Sequence, residues 1–223
     1  MNLRDRIGIT ERRQRQLTWA MEVGLVGMFF IGLDRGTTGI VVNTGIALLV
    51  TRLPSVLEHD FGIPMDPGLT LWITSAVFLH AFGTVGLPGS PLTPYQSVWW
   101  YDHLTHGLSA SVVAAVGYAA VRALDVHSDE VSYPPEFTVV FVFLFVLAFG
   151  VLWEVIEFTV AELAAVLGTG SVLTQYGLED TMLDLIFDTV GAAVVAIWGG
   201  ARLSGVVSAL ADRFDAARRG TER

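Results

Sequence analysis

The sequence predicts an all-α fold: a polytopic membrane bundle of about six transmembrane helices with an amphipathic helix at the C-terminal end. Three observations predict it. The chain of 223 residues is 52% hydrophobic and only 16% charged, whereas soluble domains carry nearer a quarter charged residues. It contains six apolar stretches close to the roughly 20 residues that cross a hydrocarbon core. Its arginines fall almost entirely on alternate connections between those stretches. This length holds several spans and short loops in one membrane domain, without a sizeable soluble domain.

Residues 1–16 form a basic arm with Arg4, Arg6, Arg12, Arg13 and Arg15. The first span follows, Leu17 to Leu33. A basic arm before an apolar run also describes a secretory signal. The next residues, Asp34-Arg35-Gly36, offer no small-x-small cleavage site, which favours an uncleaved span. The second, Thr38 to Leu53, is short, contains Asn43 and must borrow residues on either side. The third runs from Leu69 to Leu87, between Pro67-Gly68 and Pro88-Gly89. The fourth covers about 98–121, the fifth runs from Phe137 to past Phe158, and the sixth covers 181–201. Glycine and proline punctuate most of the joins.

Six spans put both termini on one side. Twelve of the thirteen arginines, including Arg52, Arg122 and five in the tail, then share that side, and Arg35 alone lies opposite. The positive-inside rule places both termini in the cytoplasm of a multi-pass cell-membrane protein. Trp19, Trp72 and Trp198 fall near the inner interface and Trp99 and Trp100 near the outer one. In the tail, 202–223, Leu203, Val206, Val207, Leu210, Phe214 and Ala217 share one helical face, as in a helix lying in the membrane interface.

The chain has no cysteine and no lysine, and its net charge is -9. Disulfides and thiol chemistry are excluded, and nucleic-acid binding, which needs a basic face, is disfavoured. The lipid bilayer is the expected partner.

Ionisable residues inside three spans carry the functional signal. Asp102 and His106 are four apart in the fourth span, so they share a helix face. Glu154 and Glu157 do the same in the fifth, and Glu162 extends their stripe. Asp180, Asp184 and Asp188 form a ladder in the sixth. At 1.5 Å rise per residue, Asp102 and His106 lie roughly 6 and 12 Å below the outer start of their span. Asp184 and Asp188 lie roughly 5 and 10 Å below theirs, and Glu154 is roughly 26 Å up from the inner start of its own. All fall in one outer layer.

A charge at mid-membrane costs on the order of 3 kcal/mol, and neighbouring carboxylates repel. Such a layer persists by holding a metal, sharing protons or lining a wet cavity. His106, Glu154, Glu157, Asp184 and Asp188, with Asp102, form a mixed ligand set that suits Zn, Mn or Fe, or Mg if the histidines stand aside. The bland alternative is solvation at the headgroup level, which fits Asp102, Glu162, Glu179 and Asp180 better than His106, Glu154, Asp184 or Asp188. His103, on a different face from His106, is expected at the interface. His80 is expected to be a hydrogen-bonded packing residue, and the Gly107–Ser111 spacing a close helix contact.

No phosphate-binding loop, GxSxG or HExxH motif occurs. The Asp180, Asp184, Asp188 ladder is similar to the metal-binding aspartates of intramembrane alcohol phosphotransferases, but their Asp-x-x-Asp-Gly and Ala-Arg elements are missing.

The motifs Trp-Tyr-Asp102-x3-His106, Trp153-Glu154-x2-Glu157 and Asp184-x3-Asp188-x2-Gly191-Ala192 resemble the YjdF-type family of small integral membrane proteins. More distantly they resemble VanZ-type proteins, which have Lys at the position of His103, Gln at Glu157 and Asn at Asp188. The resemblance covers somewhat under half the chain and implies about six spans. It supplies no mechanism, and the glycopeptide resistance associated with VanZ-type proteins is not carried over.

The expectation is a metal-dependent membrane enzyme acting on a lipid-linked or envelope substrate, with one carboxylate as base. A proton- or cation-coupled carrier is the first alternative; against it, the chain is short and has no inverted repeat. A non-catalytic scaffold is the second.

Overall fold

The computed structural model describes residues 10–86, 92–127, 132–173 and 175–221. Among these, all regular structure is helical: α1 (Glu11–Asp34), α2 (Thr38–Val50), α3 (Leu53–His59), α4 (Pro67–Gly83), α5 (Pro94–Ser97), α6 (Tyr101–His127), α7 (Pro135–Leu167), α8 (Leu178–Arg202) and α9 (Ser204–Thr221). Among the described residues, five segments are long and apolar enough to cross a membrane: α1, α2 with α3 (Thr38–His59), α6, α7 and α8. The fold is a polytopic all-α membrane bundle.

Each apolar stretch read from the sequence is helical, but their lengths differ from expectation. The second borrows α3, which restarts after a break at Thr51-Arg52 and brings the segment to 22 residues. The third is shorter than expected, at 17 residues, below the roughly 20 that cross hydrocarbon. Its start is fixed by Asp66, whose carboxylate accepts from the Gly68 and Leu69 amides at 2.7 and 2.9 Å, with Pro67 at the first position. It stops at Thr84, whose hydroxyl donates to the Ala81 carbonyl at 2.7 Å. The expected limit at Leu87 and the Pro88-Gly89 boundary lie outside the described residues, as do Arg4, Arg6 and Arg223. The fifth span, α7, continues past Phe158 to Leu167: at 33 residues it exceeds the membrane requirement by about a dozen.

The chain divides into two compact units. One comprises the chain to Val56, Met65–Thr105 and Glu157–Gln175; the other comprises Leu57–Pro64, His106–Ile156 and the chain from Tyr176.

In the first unit α1, α2 and α4 pack around Leu25, Met28, Ile40, Ala47, Ala81 and Val85. Gly32 allows the α1–α2 contact: a Cβ there would stand 2.9 Å from the Ile40 side chain. Asn43, the polar residue of the second span, donates from Nδ2 to the Gly39 and Val172 carbonyls at 2.8 and 2.9 Å. It thereby ties the segment after α7 to α2. His80 is the hydrogen-bonded packing residue its sequence context suggests. Its Nδ1 lies 2.8 Å from the Tyr95 hydroxyl, which in turn lies 3.3 Å from Thr105 Oγ1. Burial pushes the Tyr95 phenol well above its ordinary range, so it stays protonated and able to donate.

In the second unit α6, α7 and α8 approach through small residues. A Cβ on Gly107 would stand 3.1 Å from the Phe187 carbonyl oxygen, and one on Gly191 would collide with the Gly107 oxygen and stand 2.9 Å from the Ser111 amide. The Gly107–Ser111 spacing is therefore a close α6–α8 contact. Gly117 seats the Phe145 ring of α7, and Gly199 the Tyr118 ring of α6. Helix α9 is amphipathic, but its apolar face is used within the protein. Val207 and Ala211 are buried with Ala119 and Ala123 of α6, flanked by Val206, Leu210 and Phe214. Ala217, expected on that face, is exposed. His127 pairs with Asp215, and Arg213 lies over the Phe61 ring, 5.0 Å from its centroid, so polar contacts fix α9 as well.

Candidate metal centre

Three helices of the second unit bring ionisable side chains together. His106 sits on α6, Glu154 on α7, and Asp184 and Asp188 one turn apart on α8. Their exposures are 8%, 6%, 1% and 5%. Four ionisable residues buried to this degree need partners.

The imidazole of His106 is the hub. Its Nδ1 lies 3.7 Å from Asp188 Oδ1 and 4.0 Å from Glu154 Oε1. Its Nε2 lies 3.8 Å from Asp184 Oδ2. These are wider than direct hydrogen bonds. Two donors each about 2.1 Å from one ion at a tetrahedral angle stand roughly 3.4 Å apart, a few tenths of an ångström less than the spacings seen. His106 and Glu154 belong to a group of ligand atoms within 4.8 Å of one another, as do His106 and Asp184.

The Glu154 carboxylate is held asymmetrically. Thr181 donates its hydroxyl to Glu154 Oε2 at 2.7 Å. The other oxygen, Oε1, is fully buried without a hydrogen-bond partner and faces His106. A buried orphan oxygen is costly, and an ion beside it removes the cost. The charge balance points the same way. Within the second unit, three carboxylates face the His106 imidazole, an arrangement that a cation or added protons would stabilise.

Glycines make the geometry possible. A Cβ on Gly150 of α7 would collide with Asp188 Oδ2 and stand 3.0 Å from Leu185 Cδ2, so Asp188 rests directly on the α7 backbone. The α6–α8 approach at Gly107 and Gly191 sets the depth at which His106 meets Asp184 and Asp188.

The other expected ligands lie one turn away on the same helices, on segments of the first unit. Asp102, half-buried, precedes His106 on α6; Glu157, buried, follows Glu154 on α7. Asp180 is half-buried, while Glu162 and Glu179 are exposed. His103 corrects the expectation of an interfacial side chain: it is buried. Helical spacing separated its face from that of His106 but could not say that both faces are covered. Thr181 and Gly150 were not singled out from the sequence. Thr181 lies three residues before Asp184 and shares its face, and that spacing is the signal that could have found it.

A family model described as "Predicted membrane protein (DUF2238)" matches residues 16–205. An uncharacterised protein of Thermotoga maritima is 33% identical over 126 residues, which cover 56% of this chain and 58% of that relative. No solved structure matches. With its apolar helices and all three polar motifs inside the matched residues, the chain belongs to the DUF2238 family of predicted membrane proteins.

Proposed function

We propose that this protein is a metal-dependent membrane enzyme that binds one divalent cation within the cluster of His106, Glu154, Asp184 and Asp188. Asp102 and Glu157 are the next candidate ligands along α6 and α7. The observation that carries this reading is the orphaned Glu154 Oε1, buried and 4.0 Å from the imidazole. An oxygen-rich set with one imidazole suits Mn, Fe or Zn, and Mg if His106 stands aside. Such a cation supplies Lewis acidity or an activated water. The chain's own residues supply the rest. Burial excludes bulk water, Thr181 orients Glu154, and the carboxylates offer proton acceptors.

The arginine asymmetry supports cytoplasmic termini, and with that orientation the centre lies in the outer leaflet of the cell membrane. A site there meets lipid-linked or envelope-precursor substrates. The YjdF-type reading of the three motifs is part of this proposal.

Stability tests the cation directly. Ion binding to the folded state alone stabilises by about 2.7 kcal/mol at a hundred times the dissociation constant. Purified protein in detergent is expected to unfold at lower temperature after chelation and to recover with added Mn2+. An unfolding temperature indifferent to both treatments would remove the metal reading.

A further inference from the structure

We infer that Asp184 and Thr181 are positioning residues, and that the ion sits on the Nδ1 side of His106 with Glu154 Oε1 and Asp188 Oδ1. This rests on the metal-binding reading above and assigns separate roles within its residues.

The two ring nitrogens of an imidazole point to opposite sides, and only one binds an ion while the other carries a proton. Metal-bound histidines almost always donate that second N–H to a carboxylate, carbonyl or water, which fixes the tautomer and the ring orientation. The surroundings of His106 are asymmetric in this sense. Its Nδ1 faces two carboxylate oxygens from two helices, Asp188 Oδ1 at 3.7 Å and Glu154 Oε1 at 4.0 Å. Its Nε2 faces Asp184 Oδ2 at 3.8 Å. An ion on the Nδ1 side satisfies the orphaned Glu154 oxygen and leaves Nε2–H directed at Asp184. An ion on the Nε2 side leaves Glu154 Oε1 buried without a partner.

Thr181 completes the assignment. Its hydroxyl donates to Glu154 Oε2, which engages that oxygen and presents Oε1 as the single ligand atom. Thr181 and Asp184 are three apart on α8, and Asp188 follows four later. One face of α8 thus carries one ligand and both positioning groups. Asp184, the most buried of the four ionisable residues at 1% exposure, stands behind the ring, where a group that orients a ligand belongs.

The test is Mn2+ binding to the purified full chain, measured by electron paramagnetic resonance, with unfolding temperature recorded for every variant. Wild type is expected to bind Mn2+ stoichiometrically. Asp188→Asn and Glu154→Gln are expected to bind none at a hundred times the wild-type dissociation constant. Asp184→Asn should keep one ion per chain with about 10–100-fold weaker affinity, the usual effect of removing an outer-shell partner. Thr181→Val should weaken binding about tenfold, and Thr181→Ser should restore it. If Asp184→Asn empties the site as fully as Asp188→Asn, Asp184 is a ligand and the assignment is overturned while the metal reading stands. If Thr181→Val binds like wild type, the role of Thr181 is overturned. Should Asp184→Asn fail to fold, the Thr181 pair decides alone. Absence of Mn2+ binding in wild type would overturn the metal reading itself.

Discussion

Replacing His106 with alanine is expected to empty the centre and to destabilise the fold by about 3–5 kcal/mol, the range seen when one partner of a buried charged set is removed. The reason is geometric. All three carboxylates lie within 4.0 Å of this one ring, so its loss removes an ion ligand and the imidazole they share. Three carboxylates then face a cavity without a cation. The measurements are metal content and thermal unfolding in detergent, with and without Mn2+. A variant that loses its metal together with the Mn2+-dependent part of its stability supports a cation site. A variant equally destabilised beside a wild type indifferent to Mn2+ would instead support the scaffold reading, in which the cluster only ties helices together.

The second large effect is expected at Gly191. A methyl there would collide with the Gly107 carbonyl oxygen and stand 2.9 Å from the Ser111 amide. Both are backbone atoms of α6, so no side-chain rotation relieves the contact. Gly191→Ala must push α6 and α8 apart, at a cost of about 1–3 kcal/mol. The gain in helix propensity, about 1 kcal/mol, does not offset the upper part of that range. Asp188 lies three residues earlier on the same helix, so Mn2+ affinity should fall with stability. Gly27→Ala is the control, because nothing lies within 4 Å of its added carbon; it should be neutral or slightly stabilising. Equal unfolding temperatures for the two variants would contradict the close α6–α8 packing.

Helix positions were readable because apolar length is the dominant constraint on a membrane segment. Helix ends were less so. Helix α4 stops at Gly83, where the Thr84 hydroxyl bonds the Ala81 carbonyl and the Tyr95 ring occupies the space a Cβ would take, and hydropathy carries neither. The amphipathic face of α9 was readable, but its partner was not: a stripe of Val, Leu and Phe fits a membrane interface or a neighbouring helix equally well, and the small residues Ala119 and Ala123 make α6 that neighbour.

The convergence of His106, Glu154, Asp184 and Asp188 followed from depth along three helices, a quantity that the 1.5 Å rise supplies. The roles within the cluster were not readable. The ring nitrogen that faces a given carboxylate depends on a rotamer and a crossing angle. The spacing of Thr181 from Asp184 put it on the right face, but its role shows in its bond to Glu154, and the burial of His103 shows only in what covers it.

The most direct test is the metal content of the full chain purified without added metal or chelator, measured by elemental mass spectrometry beside Asp188→Asn prepared identically. The account predicts about one divalent ion per wild-type chain, held by the cluster around His106, and none in the variant. Wild-type protein that is folded and free of divalent metal, and that takes up none on exposure to Mn2+, Zn2+ or Fe2+, would contradict it.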